Sequence, residues 1–207
     1  MNKDENHSDT CMDEPVLYGP DLIGKHGFWT ILKEDYAANN RRWAEPGFRA
    51  VAVHRFGTWR KVIKFSPLRK VMGLLYYLMN HRVRTVYGIE LHDTAKVGRR
   101  LVIAHQGGIV IHRHATIGDD CMIRQCVTIG AGATYDISEA PVLGSRVTLG
   151  AGSVVIGPVQ LGDDTKVGPN AVVQTHIKPG STVFAPASRV ITMPKPKPAP
   201  TPVQDFE

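Results

Sequence analysis

Two kinds of hydrophobic spacing divide this chain. From Asp21 to about Asn80, apolar residues recur at three and four positions: Phe28-Trp29, Leu32 and Tyr36, then Val51, Val53, Phe56 and Trp59, then Leu68, Val71, Leu74-Leu75 and Leu78. That spacing predicts amphipathic helices, and Pro46-Gly47 and Ser66-Pro67 divide them into about three. From Ile89 to Val173 the period is six. Leu91, Val97, Ile103 and Ile109 are followed, after a two-residue shift, by Ile111, Ile117, Ile123 and Ile129. A longer step reaches Leu143, and Leu149, Val155, Leu161, Val167 and Val173 complete the run. Glycine follows many of these residues, as at Gly98, Gly118, Gly144, Gly150 and Gly168, and small or β-branched side chains such as Ala95, Cys121 and Thr165 stand two positions before.

A period of six fits neither a 3.6-residue helix nor an isolated amphipathic strand. It fits a prism of stacked coils with three flat faces, one hexad to each face. The aliphatic residue points into the core, and glycine or a small residue lets the backbone turn the corner. The chain then divides into a loose tail (1–18), a helical N-terminal domain (19–87), the prism (88–192) and a Pro-rich tail (193–207) that reads as extended and disordered.

Composition narrows the partners. At 207 residues with 43% hydrophobic and 21% charged content, the chain has the make-up of a soluble globular protein with a sizeable core. Its net charge of +6 leaves nucleic acid and an anionic cofactor both open. Much of that charge lies between Arg41 and Arg84, off the repeats, and no nucleic-acid-binding signature accompanies it, so no nucleic acid is expected. The basic, apolar stretch 55–84 has the makings of a peripheral membrane surface, though packing within an oligomer is the favoured reading. Cys11, Cys121 and Cys126 lack paired spacing and read as reduced thiols. The polar, acidic N-terminus is no signal peptide, and the run from Val71 to Met79 is too short to span a bilayer, which together imply a cytoplasmic protein. His112 and His114 alternate as a metal pair would, but no cysteine or acid cluster completes a ligand set, and no metal is expected.

Four segments carry a resemblance: PGFRAVAVHRFGTW (46–59), GIELHDTAKVGRRLVIAHQGGIVI (88–111), QCVTIGAG (125–132) and VTLGAGSVVIGPVQLGDDTKVGPNAVV (147–173). Through them the chain resembles the serine acetyltransferase family of hexapeptide acyltransferases. The resemblance implies a mainly β fold, a left-handed parallel β-helix with a small α-helical N-terminal domain, assembled as a homotrimer with acetyl-CoA as co-substrate. It implies His105 as the general base that takes the acceptor's proton, and Glu90, where the family has Asp, as the acid that orients it. From the wider hexapeptide family, acetyl-CoA contacts are implied at Gly150, Ala151, Gly168, Gln174, Thr175 and Arg189.

Three departures bear on the acceptor. Ala104 stands where the family has Asp, and Ser138-Glu139-Ala140-Pro141 where it has Asp-Arg-His-Pro. Glu139 thus reverses a charge implied to bind the acceptor's carboxylate, a contact of roughly 1.5–3 kcal/mol. The helical domain is also shorter, and only a gapped alignment implies Asp35 as the acid that helps bind serine. These departures favour a hydroxyl-rich acceptor without a carboxylate, a sugar or polysaccharide precursor, over L-serine. N-acetylation of an amino sugar and a non-catalytic trimeric scaffold are the remaining alternatives.

Overall fold

The computed structural model describes residues 15–132, 139–187 and 189. The expected tails therefore fall largely outside the described residues, as do Cys11 and Ser138. Four α-helices come first: α1 (Gly19–His26), α2 (Phe28–Ala38), α3 (Pro46–Trp59) and α4 (Ser66–Arg82). A 3-10 turn, Arg60–Val62, follows α3, and a π-helical turn, Val83–Tyr87, leads into the first strand. The spacing predicted about three helices. The fourth exists because Gly27, at φ +81°, breaks the first periodic segment while its N–H still caps the Ile23 carbonyl at 2.8 Å.

Helix α3 is the buried one, with Phe48, Ala50, Val51, Val53, His54 and Arg55 all inside. Two of its glycines explain how closely it lies on its neighbours. A Cβ at Gly47 would stand 2.0 Å from the Ile103 carbonyl oxygen, and one at Gly57 would stand 2.5 Å from the Tyr76 ring. Neither position has room for a side chain. Polar groups also tie α3 to the first coil: the Arg55 guanidinium donates to the Val97 carbonyl at 2.9 Å and also to the Gly98 carbonyl.

From Ile89 onward, strands of two or three residues stack in parallel on three faces, as the period of six predicts. On the first face Leu91, Ile111, Ile129, Val155 and Val173 lie in register. Val97, Ile117, Leu143 and Leu161 do so on the second. On the third the column is Ile103, Ile123, Leu149, Val167 and Val183. Each of these residues except Val183 is 3% exposed or less. A fully buried aliphatic side chain contributes about 1.5–3 kcal/mol, so the repeat itself holds the solenoid together.

The structure relocates the two-residue shift. Ile109 and Ile111 belong to one strand, Ile109–Ile111, paired with Ile89–Leu91. The extra residues sit in the corner before it, where Ala104-His105-Gln106-Gly107-Gly108 replaces the next coil's Arg124-Gln125-Cys126. Gly107 (φ +100°) and Gly108 (φ +65°) make this wider turn possible. The longer step departs between Gly130 and Val142, and its middle, 133–138, lies outside the described residues.

Candidate active site

Register on the third face decides what lies beside His105. The N–H groups of Ala104, Arg124, Gly150 and Gly168 donate in turn to Ile123, Leu149, Val167 and Val183, at 2.7–3.2 Å. These four residues therefore stack along one edge of the prism. His105, Gln125, Ala151 and Pro169 follow them as the next step along that edge. Three of the residues implied to hold acetyl-CoA, Gly150, Ala151 and Gly168, thus share an edge with the implied base. Backbone is bare and close there: a Cβ at Gly150 would stand 2.7 Å from the Pro169 nitrogen and 2.8 Å from the Gly168 carbonyl carbon.

The other cofactor candidates lie elsewhere. Gln174 and Thr175 follow the first face, so they continue the edge that carries His92 and His112. Arg189 is exposed, past the last paired strand, Thr182–Val183.

His105 opens onto a recess of about 460 Å³ between the third face and the turn after α2. The turn forms for local reasons. Asn39, 4% exposed, donates its side-chain amide to the Asp35 carbonyl at 2.8 Å and the Leu101 carbonyl at 3.0 Å. Asn40 and Arg41 then take left-handed backbone (φ +59° and +55°), which folds the chain back across the face. Asn39, Asn40, Arg42 and Glu45 line one side of the recess, and Val102, Ala104, His105 and Met122 the other. The sequence reading did not single out Asn39, Arg42 or Glu45. The Asn-Asn turn signal after α2 was the available clue.

His105 is exposed, and among the described residues its ring makes no hydrogen bond or ion pair. Its nitrogens are open to a bound acceptor. Glu90 is not joined to it. The Glu90 carboxylate pairs with Arg84 at 3.2 Å and faces separate recesses, one shared with His92 and His112. The orienting contact implied for Glu90 is absent among the described contacts, because Glu90 points outward from mid-face while His105 stands on a corner.

Asp35 requires a correction. It is 0% exposed, and the Arg55 guanidinium grips its carboxylate at 2.8 and 3.4 Å. An acid enclosed this way has no free face for an acceptor; it anchors α2 to α3. Glu139 is exposed next to Ala140, which is 8% exposed, at the end of the longer step. Burial pushes the Cys121 thiol up to about 12, so it is an inert core group rather than a nucleophile. His112 and His114 stand 5.6 Å apart by ring centroid, and among the described residues no group of three metal-binding side chains occurs.

Relatives bear on this geometry. The bacterial transferase hexapeptide family (six repeats) matches residues 140–175. The serine acetyltransferase of Helicobacter pylori strain 26695 is 36% identical over 166 residues, which cover 78% of this chain and 92% of that enzyme. The chain belongs to the serine acetyltransferase family. Several longer relatives are matched over only 52% to 66% of their own length. Among solved structures, the Brucella abortus serine acetyltransferase in complex with coenzyme A has a TM-score of 0.66 at 23% identity, covering 83% of this chain and 70% of that one. The Neisseria gonorrhoeae enzyme in complex with serine has a TM-score of 0.64 at 25% identity, covering 82% of this chain and 72% of that one. The solenoid is accordingly the left-handed parallel β-helix with a helical N-terminal region, and the protein is an acetyl-CoA-dependent O-acetyltransferase of this family.

One expectation is overturned. The sequence departures favoured a sugar or polysaccharide acceptor over L-serine, yet the Helicobacter pylori relatives, matched over 92% of their own length, are serine acetyltransferases. The departures at Ala104, Glu139 and Ala140 touch a few positions of a chain that is alike over 78% of its length. The recess beside His105 carries other charged groups, on a turn whose position the repeats did not reveal.

Proposed function

We propose that the protein transfers the acetyl group of acetyl-CoA to the side-chain hydroxyl of L-serine. The observation that carries the reading is His105, open and unpartnered on the edge that also presents Gly150, Ala151 and Gly168. His105 accepts the hydroxyl proton as the serine oxygen attacks the thioester carbonyl. The new C–O bond forms, the C–S bond breaks, and the CoA thiolate leaves and takes up the proton. Bare backbone at Gly150 and Gly168 gives the pantetheine arm a close approach, and Arg189 offers a cation to the cofactor's phosphates.

A trimer fits this reading. Gln174 and Thr175 stand on a different edge from His105, and the first face between those edges exposes Val110 (42%) and Val172 (59%). Threefold packing over that face would bring one protomer's His105 edge to a neighbour's Gln174 edge. The test of the reaction is thioester loss from acetyl-CoA on addition of L-serine, with O-acetylserine identified by mass. Turnover that does not depend on L-serine would refute the reading.

A further inference from the structure

The recess beside His105 holds a charge pair that neither the repeats nor the reaction step uses. Arg42 and Glu45 lie one turn apart, with Arg42 Nη1 at 3.4 Å from Glu45 Oε1. The contact is long for a charge-assisted hydrogen bond, and the Arg42 side chain is 72% exposed. It is a loose pair, held by little and costing little to open. Both residues line the same recess as His105. Asn39 fixes the base of their turn to the solenoid through the Leu101 carbonyl.

We infer that Arg42 and Glu45 form a zwitterion clamp: Arg42 binds the carboxylate of the amino-acid acceptor and Glu45 its ammonium group, presenting the hydroxyl to His105. This rests on the serine reading above and deepens it. An amino acid carries a positive and a negative group on one carbon, so its site needs both signs within a few ångströms. The recess supplies them from positions 42 and 45. The clamp also explains how the chain manages without a cation at 139. Exchanging the internal pair for two pairs with the ligand keeps both charges matched, so neither group is stranded when serine binds. Arg42 and Glu45 are positioning residues; the proton is taken by His105.

The experiment compares L-serine with L-serinamide, which lacks the carboxylate, and with 3-hydroxypropionate, which lacks the amine. Loss of one charge-assisted contact is expected to lower kcat/KM for L-serine by about tenfold to a hundredfold. Most of that loss should fall in KM, since the contact is made before the reaction as well as during it. For Arg42→Ala the preference for L-serine over L-serinamide should fall by a similar factor, and Arg42→Lys should recover part of it. For Glu45→Gln the preference for L-serine over 3-hydroxypropionate should fall. Unchanged preferences in variants that retain the wild-type melting temperature would overturn the clamp while leaving the serine reading intact. A wild-type protein that does not acetylate L-serine at all would overturn that reading and the clamp with it.

Discussion

The side-chain amide of Asn39 donates to the carbonyl of Leu101 at 3.0 Å, four residues before His105, and so docks the helical domain onto the corner that carries the base. Asn39→Ala should cost about 1–3 kcal/mol, since it strands the buried Leu101 carbonyl. It should also raise KM for L-serine. Denaturant unfolding and steady-state kinetics check the two halves, and an unaltered KM would mean that the recess keeps its shape without this contact.

His105→Ala should lower kcat by roughly 10²–10⁴-fold, the usual effect of losing a positioned base. Binding of coenzyme A, measured by calorimetry, should survive the change. If kcat stays within a few-fold of wild type, the base lies elsewhere, and His92 or His112 on the neighbouring edge is next to be tested.

Gly150→Ala should disturb the corner where Gly130→Ala does not. A methyl group at 150 would press on backbone atoms of Pro169 and Gly168 at 2.7–2.8 Å, which cannot rotate away. At Gly130 the nearest group is a Thr128 methyl at 3.7 Å, an ordinary contact. A lower melting temperature and a raised KM for acetyl-CoA are expected for the first variant, and a shift within about 0.5 kcal/mol for the second. Equal behaviour of the two would count against close backbone packing at this edge.

Asp35→Ala should destabilise the fold by about 3–5 kcal/mol, because it leaves the Arg55 charge buried without its partner. The side chains of both residues are 2% exposed or less. Urea unfolding gives the value, and a loss below about 1 kcal/mol would show that water reaches the site.

His54 should make stability depend on pH. Its Nε2 lies 3.1 Å from the Ala95 carbonyl, which can only accept, so Nε2 carries the proton and the buried Nδ1 has no partner. Burial, helped by the Arg55 charge, lowers its pKa from 6.5 to about 3. Between those values the unfolded chain binds a proton that the folded chain refuses. The contribution is therefore complete above about pH 6.5 and drains away as pH falls toward 3, at up to about 1.4 kcal/mol per pH unit. Replacing His54 by Gln should flatten this part of the pH–stability curve; parallel curves for the two proteins would exclude His54 as its source.

Much of the fold was legible in advance. The hexad aliphatic positions Leu91 to Val173 were all named from spacing and all lie in the core, because a repeat of one inward residue per face is a local property. The helices were legible for the same reason, apart from the break at Gly27. Site residues were harder. His105 stands out by its surroundings in the sequence, whereas Asp35 is implied as a ligand only through a gapped alignment and is in fact held by Arg55. Nothing in the spacing announces that Arg55, twenty positions on, encloses it.

What the sequence determined alone was the coil: its period, its inward residues and its small corner residues, each set by the chemistry of a single hexad. Which corners meet was decided only in three dimensions. The edge that joins His105 to Gly150 and Gly168 depends on the summed lengths of the intervening coils, including the widened corner at Gln106–Gly108 and the long step after Gly130. The recess depends on a further contact, Asn39 on Leu101, that brings Arg42 and Glu45 to a histidine some sixty residues away. Periodicity is written residue by residue, whereas adjacency across coils follows from accumulated length and docking.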